Sequence, residues 1–135
     1  MAEPPDRHLD GGGYEGAAGY ARAARRGNVI VVSGTTANDA SGGVLHPGDT
    51  GAQTAAALRQ ALDAVEHLGG HVDDVVRTRL YLAPGADWSA AARAHAELLG
   101  AVRPANTTLF VHGLIGDDFL VEVEIDAIIE DSDGP

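Results

Sequence analysis

An α+β fold, an open β-sheet covered on one face by two helices, is what three features of this sequence predict. Leu58, Leu62, Val65 and Leu68 recur at helical spacing, and a second such segment runs from Trp88 to Leu99. Short runs of β-branched and aromatic residues, bounded by Gly, Pro, Asn or Asp, mark about five strands. The segments follow one another as ββ-α-β-α-ββ, which leaves too few helices to cover both faces of a sheet. The bare face then needs a partner, and a second copy of the chain is the simplest one, so a symmetric homo-oligomer is expected. With no repeat and no internal linker, one domain is predicted over residues 14–130. A flexible segment, 1–13, precedes it and an acidic tail, 131–135, follows it.

In chain order, Met1–Gly13 holds two prolines and three consecutive glycines and reads as irregular. Tyr14–Arg26 turns toward strand character, and Gly27-Asn28 is a hairpin-turn signal before the apolar run Val29–Val32. A hairpin over about residues 19–36 follows. Residues 38–48 are loop. Asp49 or Thr50 can cap the first helix, with Gln53 as the capping-box partner, and Gly69-Gly70 ends it. His67 and His71 have a metal-ligand spacing, but the glycines between them break the helix that would align them.

Val75–Leu82 reads as a strand with Val76, Thr78, Leu80 and Leu82 on one face and Val75, Arg77, Arg79 and Tyr81 on the other. Asp87 caps a second helix whose inward side is predicted to carry Trp88, Ala91, Ala92, His95, Leu98 and Leu99. Two more strands, Thr107–Val111 and Phe119–Ile129, are joined by a turn containing Gly and Asp. The last is unusual. Glu122, Glu124 and Asp126 share one face, where three carboxylates repel unless water, cations or another subunit separates them.

Composition narrows the chemistry. The 135 residues carry nine basic and twenty acidic side chains, a net charge of −11 that argues against nucleic acid as a partner. The absence of cysteine removes thiolate chemistry and cysteine-built zinc sites, and fits a reducing cytoplasm. No secretory leader pattern opens the chain and no apolar run approaches ~18 residues, so a soluble cytoplasmic protein without membrane partners is expected. The basic residues are all arginine, which excludes Schiff-base lysine chemistry. Phosphate-binding loops, Gly-x-Ser-x-Gly elbows and His-Glu-x-x-His are missing as well. Neither a metal nor an organic cofactor is expected. What remains are hydroxyls, main-chain donors, arginines and the acidic strand.

These fall in a particular order. Tyr20, Gly27-Asn28, Ser33-Gly34, Gln53, Asp74–Thr78, Arg103-Pro104-Ala105 and Leu120–Glu124 together resemble the RidA/YjgF family, the reactive-intermediate imine deaminases also labelled L-PSP endoribonucleases. The resemblance spans roughly Tyr14 to Ile129. It implies a chorismate-mutase-like α+β fold, a homotrimer and ligand clefts between subunits. By the family pattern Tyr20, Ser33 and Glu122 match cleft positions, Thr108 adds a hydroxyl or main-chain group, and Glu122 orients or activates a water. A register shift of two would give that role to Glu124.

The departure from the pattern lies at Asn106. Active members carry an arginine there that grips the substrate carboxylate, and an uncharged amide cannot form that fork. Arg93, Arg77 and Arg79 are candidate substitutes, whereas Arg103 points to the other strand face. The sequence therefore predicts hydrolysis of a small imine or enamine, or a related tautomerisation, on a substrate other than the usual 2-imino acids. The competing reading is a non-catalytic ligand-binding or pathway accessory protein of the same fold.

Overall fold

The computed structural model describes residues 6–131. The first five residues and the acidic tail from residue 132 onward lie outside it. Its elements are β1 (Arg7–His8), α1 (Glu15–Ala18), β2 (Ala23–Arg26), β3 (Val29–Thr35), α2 (Thr50–His67), a 3-10 turn (Val72–Asp74), β4 (Val75–Leu82), α3 (Trp88–Leu99), β5 (Ala105–Phe110) and β6 (Val121–Ile128). Six strands form one sheet in the order β1-β2-β3-β6-β4-β5. Only β4 and β5 run parallel, joined by α3 as a crossover must be. The architecture is the predicted α+β sheet with its long helices on one face.

Alternation on β6 explains why that strand is central. Val121, Val123, Ile125 and Ala127 are fully buried beneath the helices, where they meet Leu58, Ala61, Val65, Leu80 and Leu99. Each buried Val or Ile contributes about 1.5–3 kcal/mol. Alanines at 57, 61, 64 and 91 are also buried, so the helices lie close to the sheet and to each other. The opposite face has no such cover. Val29, Val31, Leu109 and Ile128 stand there more than two-fifths exposed.

The predicted hairpin is present as β2–β3, with Ala23 opposite Val32 and Arg26 opposite Val29. Four local expectations are corrected. Within Tyr14–Arg26 one helical turn, α1, precedes the strand. Strands β5 and β6 follow each other in sequence but are not neighbours, because β4 lies between them. The alternation read along β4 breaks at a bulge between Val75 and Arg77, which turns Val75 inward and leaves Val76 exposed. On α3 the inward side is Ala91, Ala94 and Leu99, while Trp88 is 56% exposed and Ala92 is exposed too. A tryptophan is too large for the narrow gap that the alanine stripe sets.

Capping also differs. Asp49 caps α2, accepting from Ala52 N at 3.0 Å. Gln53 is instead fully buried, donating to the carbonyls of His46 and Asp118 and accepting from Leu120 N at 2.8 Å. It ties the start of α2 to the turn before β6. Thr50 accepts from Asp87 N at 2.9 Å, which links the starts of the two long helices.

Candidate functional site

The acidic face of β6 meets β4 and β3 on the uncovered side of the sheet. Its three carboxylates are treated unequally. Asp126 pairs with Arg79 Nη1 at 3.3 Å. Glu124 accepts a short hydrogen bond from the Tyr81 hydroxyl, and that bond, with burial, holds the phenol above its usual pKa. Glu122 has no ion pair or hydrogen bond among the described residues. Burial pushes its carboxyl pKa up, the Arg22 charge opposes the rise, and Glu124 adds to it. Tyr81 thus occupies Glu124 and leaves Glu122 without a partner among the described residues.

Glu122 lies against Gly34, where a side-chain Cβ would overlap the carboxylate. A bulge between Val32 and Thr35 accommodates this, with Ser33 and Gly34 together opposing Glu124. Arg22 Nη2 donates to Gly34 O at 2.6 Å, and its guanidinium carbon is 5.9 Å from the centroid of the Tyr20 ring. Ser33 Oγ donates to Ala21 O at 2.7 Å, which pins β3 to the segment carrying Tyr20. The Tyr20 hydroxyl accepts from Tyr14 N at 3.2 Å. Tyr20, Ser33 and Glu122 therefore belong to one neighbourhood, with Arg22 and Gly34 at its centre.

Asn106 and Thr108 belong to another. Parallel pairing sets Asn106 beside Thr78 and Thr108 beside Leu80, on the helix-covered side. Asn106 Nδ2 donates to the buried Thr78 Oγ1 at 3.1 Å, and Thr108 Oγ1 donates to Asn106 Oδ1 at 2.9 Å. His95 Nε2 is 2.8 Å from the same threonine oxygen. Burial lowers the pKa of His95, which favours the neutral imidazole. Leu80, Trp88, Ala92, His95, Asn106 and Thr108 line a hollow of about 340 Å³ at the open β5 edge.

Arg93 is exposed on α3, away from the residues that line this hollow. Arg103 has a left-handed backbone, φ 55°, and joins a second hollow on the other side of His95. His67 stacks on His8 with centroids 3.9 Å apart, and His71 accepts from Asp73 N. No group of three or more metal-ligating side chains occurs among the described residues.

One chain thus carries two polar clusters on opposite faces of its sheet. The residues that sequence reading passed over are Arg22, Tyr81, Thr78 and the linking role of His95. For Tyr81 the signal existed: its strand alternation puts it on the face that meets the acids. Arg22 carried a weaker one, as a member of the sole basic cluster. Nothing local in the sequence pairs Thr78 with His95.

A helix-backed sheet with a bare carboxylate on one face and a hydroxyl–amide cluster at an edge defines the chain as an α+β protein. The chain belongs to the family described as Endoribonuclease L-PSP, whose model matches residues 14–129. It is 39% identical over 127 residues to the uncharacterized protein SCO2049 of Streptomyces coelicolor, covering 93% of each chain. It is 33% identical over 108 residues to the 3-aminoacrylate deaminase RutC of Acinetobacter baylyi, covering 77% of this chain and 82% of that one. The crystal structure of Rv2704 from Mycobacterium tuberculosis, a member of the YjgF/YER057c/UK114 family, superimposes with a TM-score of 0.81 at 36% identity. That match covers 91% of this chain and 98% of the other. The RidA/YjgF-like assignment made from the residue series holds.

Proposed function

We propose that this protein hydrolyses the C=N bond of a small imine, or of the enamine in equilibrium with it, in clefts between subunits of a homotrimer. Glu122 of one copy faces the β5 edge of its neighbour across each cleft. The observation that carries the reading is the treatment of the acid row: Asp126 and Glu124 have partners, while Glu122 is half-buried without one. A lone carboxylate in a site of low polarity is costly for stability and useful as a base. Its raised pKa brings it toward the working pH, where proton transfer is most effective.

In the step envisaged, water adds its oxygen to the imine carbon as Glu122 takes one of its protons. Delivery of that proton to nitrogen completes the carbinolamine, and Glu122 then relays the hydroxyl proton to nitrogen as the C–N bond breaks, giving the carbonyl product and ammonia. The two polar clusters and the apolar residues exposed on the bare sheet face support assembly of the cleft from two copies. The relation to a deaminase at 33% identity supports the reaction class.

The test is ammonia release from freshly generated 2-iminopropanoate and from a panel of uncharged imines, comparing wild type with Glu122→Ala. Turnover that depends on Glu122 is the expected result. Rates at the buffer background for every imine would remove the enzymatic reading. A second reading, a ligand-binding accessory protein, is favoured by Asn106, whose amide is bonded on both sides and carries no charge. It predicts thermal stabilisation by a metabolite that is not consumed.

A further inference from the structure

We propose that Arg22 binds the carboxylate of an anionic imine substrate, supplying from the Glu122 side the cation that position 106 lacks. The inference rests on the imine-hydrolysing reading and names the substrate class for it. On the β5 side Arg103 joins only the second hollow, beyond His95. Asn106 is engaged by Thr78 and Thr108, and no arginine lines the hollow beside it. On the open face Arg79 is committed to Asp126. Strand register puts Arg79 opposite Glu124 and Arg77 opposite Asp126, each further along β6 than Glu122.

Arg22 differs from both. Its Nη2 is fixed to Gly34 O at 2.6 Å, so the guanidinium is held at the bulge on which the Glu122 carboxylate also rests. Its Nε is buried with no hydrogen-bond partner, and Nη1 makes none among the described residues. A donor left unpaired in this way is costly, and a group already held in place loses little entropy on binding. Nε is enclosed and Nη2 is taken, so Nη1 is the donor left to meet an oxyanion. The Tyr20 ring beside the guanidinium gives the pocket a wall.

Chemistry supplies an independent constraint. In a 2-imino acid the carboxylate carbon is bonded directly to the imine carbon. The group that anchors the anion and the group that holds the attacking water must therefore be close neighbours. Arg22 and Glu122 meet at the same glycine, and the Arg22 charge is near enough to oppose the rise in the Glu122 pKa. The carboxylate is then held from the opposite side to the one the family pattern implies. A bare counter-ion role for Arg22 is the rival explanation, and the two separate experimentally.

The experiment compares wild type, Arg22→Gln and Arg22→Lys, each shown to be folded by thermal unfolding. Binding is measured by calorimetry with pyruvate and with uncharged pyruvamide, and turnover with 2-iminopropanoate and an uncharged imine. Arg22→Gln is expected to weaken pyruvate binding and raise the 2-iminopropanoate KM about ten- to a hundred-fold, the size of a lost charge-assisted pair. Pyruvamide binding should stay within about twofold, and turnover of the uncharged imine should fall less than that of 2-iminopropanoate. Arg22→Lys, with charge but no guanidinium, should fall between.

Equal losses on charged and uncharged ligands, with a shifted pH–rate profile, would assign Arg22 as counter-ion to Glu122 and overturn the proposal. So would unchanged pyruvate affinity, or a wild type that does not prefer pyruvate to pyruvamide. Should Arg22→Gln not fold, that wild-type preference together with the Arg22→Lys loss decides the matter. If pyruvate binding depends on Arg22 while no imine is turned over, the Arg22 assignment stands and imine hydrolysis is the reading that fails.

Discussion

Glu122 and Asn106 are both polar residues on strands of one sheet, yet their surroundings are opposite. Asn106 has a donor and an acceptor engaged, through Thr108 and through a threonine that also reaches His95. Glu122 is half-buried and unpartnered, lying over a glycine that has no room for a side chain. A satisfied network fixes local structure, whereas an unsatisfied carboxylate costs stability and calls for another reason to be there. In the proposed cleft the difference separates a scaffold half from a reactive half, although the family pattern implies that residues of both face ligand.

That contrast breaks most readily at Glu122. Glu122→Gln keeps the shape and removes the base, so kcat for imine hydrolysis should fall about 10²–10⁴-fold in an ammonia-release assay. Tyr81→Phe alters the neighbouring acid and should leave kcat within about tenfold, since Glu124 is not the base. Comparable losses in the two variants would erase the distinction between the carboxylates. Gly34→Ala acts on the same half through packing. Its Cβ must displace the Glu122 carboxylate, and denaturant unfolding should show a cost of about 1–3 kcal/mol together with reduced turnover.

The scaffold half is sharpened by Thr78→Val, which removes the buried hydroxyl shared by Asn106 and His95. A stability loss of about 1–2 kcal/mol is expected, with kcat little changed. The smallest effect is pH-dependent and has the opposite sign. Because the folded pKa of Glu122 is raised, the unfolded chain releases this proton first as pH climbs. The contribution to stability is full below the ordinary carboxylate range and is lost as pH rises through the folded pKa. Glu122→Gln should therefore raise Tm at pH 7 and give no gain in acid. A gain that is independent of pH would mean that burial of the charge is not the cause.

Most of the fold was legible because it is written in periodicity. The hairpin around Gly27, the stripe of α2, the capping aspartate of α3 and the alternation of β6 all reappear in the structure. What was not legible depends on contacts distant in sequence. A β-bulge reverses the phase of Val75 and Val76 without a local cue, and β4 comes to lie between two strands that follow each other in sequence. Gln53 looks like a capping residue because its spacing from Thr50 is right, but its partners are a loop and a turn up to 67 residues away.

The site shows the same division. Residue types and order picked out Glu122, Tyr20 and Ser33, which the fold gathers together. Alternation put Tyr81 on the face of the acids but not against Glu124 in particular, and spacing held no sign that Arg22 would be fixed to Gly34 beside Glu122. Nor did it reveal that Asn106 and Thr108 lie across the sheet from Glu122, which is why a second copy enters the account.

Subunit mixing tests that account most directly. Glu122→Gln removes the reactive half, and Thr108→Glu, which sets a charge at the β5 edge, disables the scaffold half. Each variant alone should be inactive. Co-refolded in equal amounts they should recover about a quarter of the wild-type rate, because a cleft that takes Glu122 from one variant and the β5 edge from the other is intact. A mixture no more active than the average of its parents would contradict a cleft shared between copies.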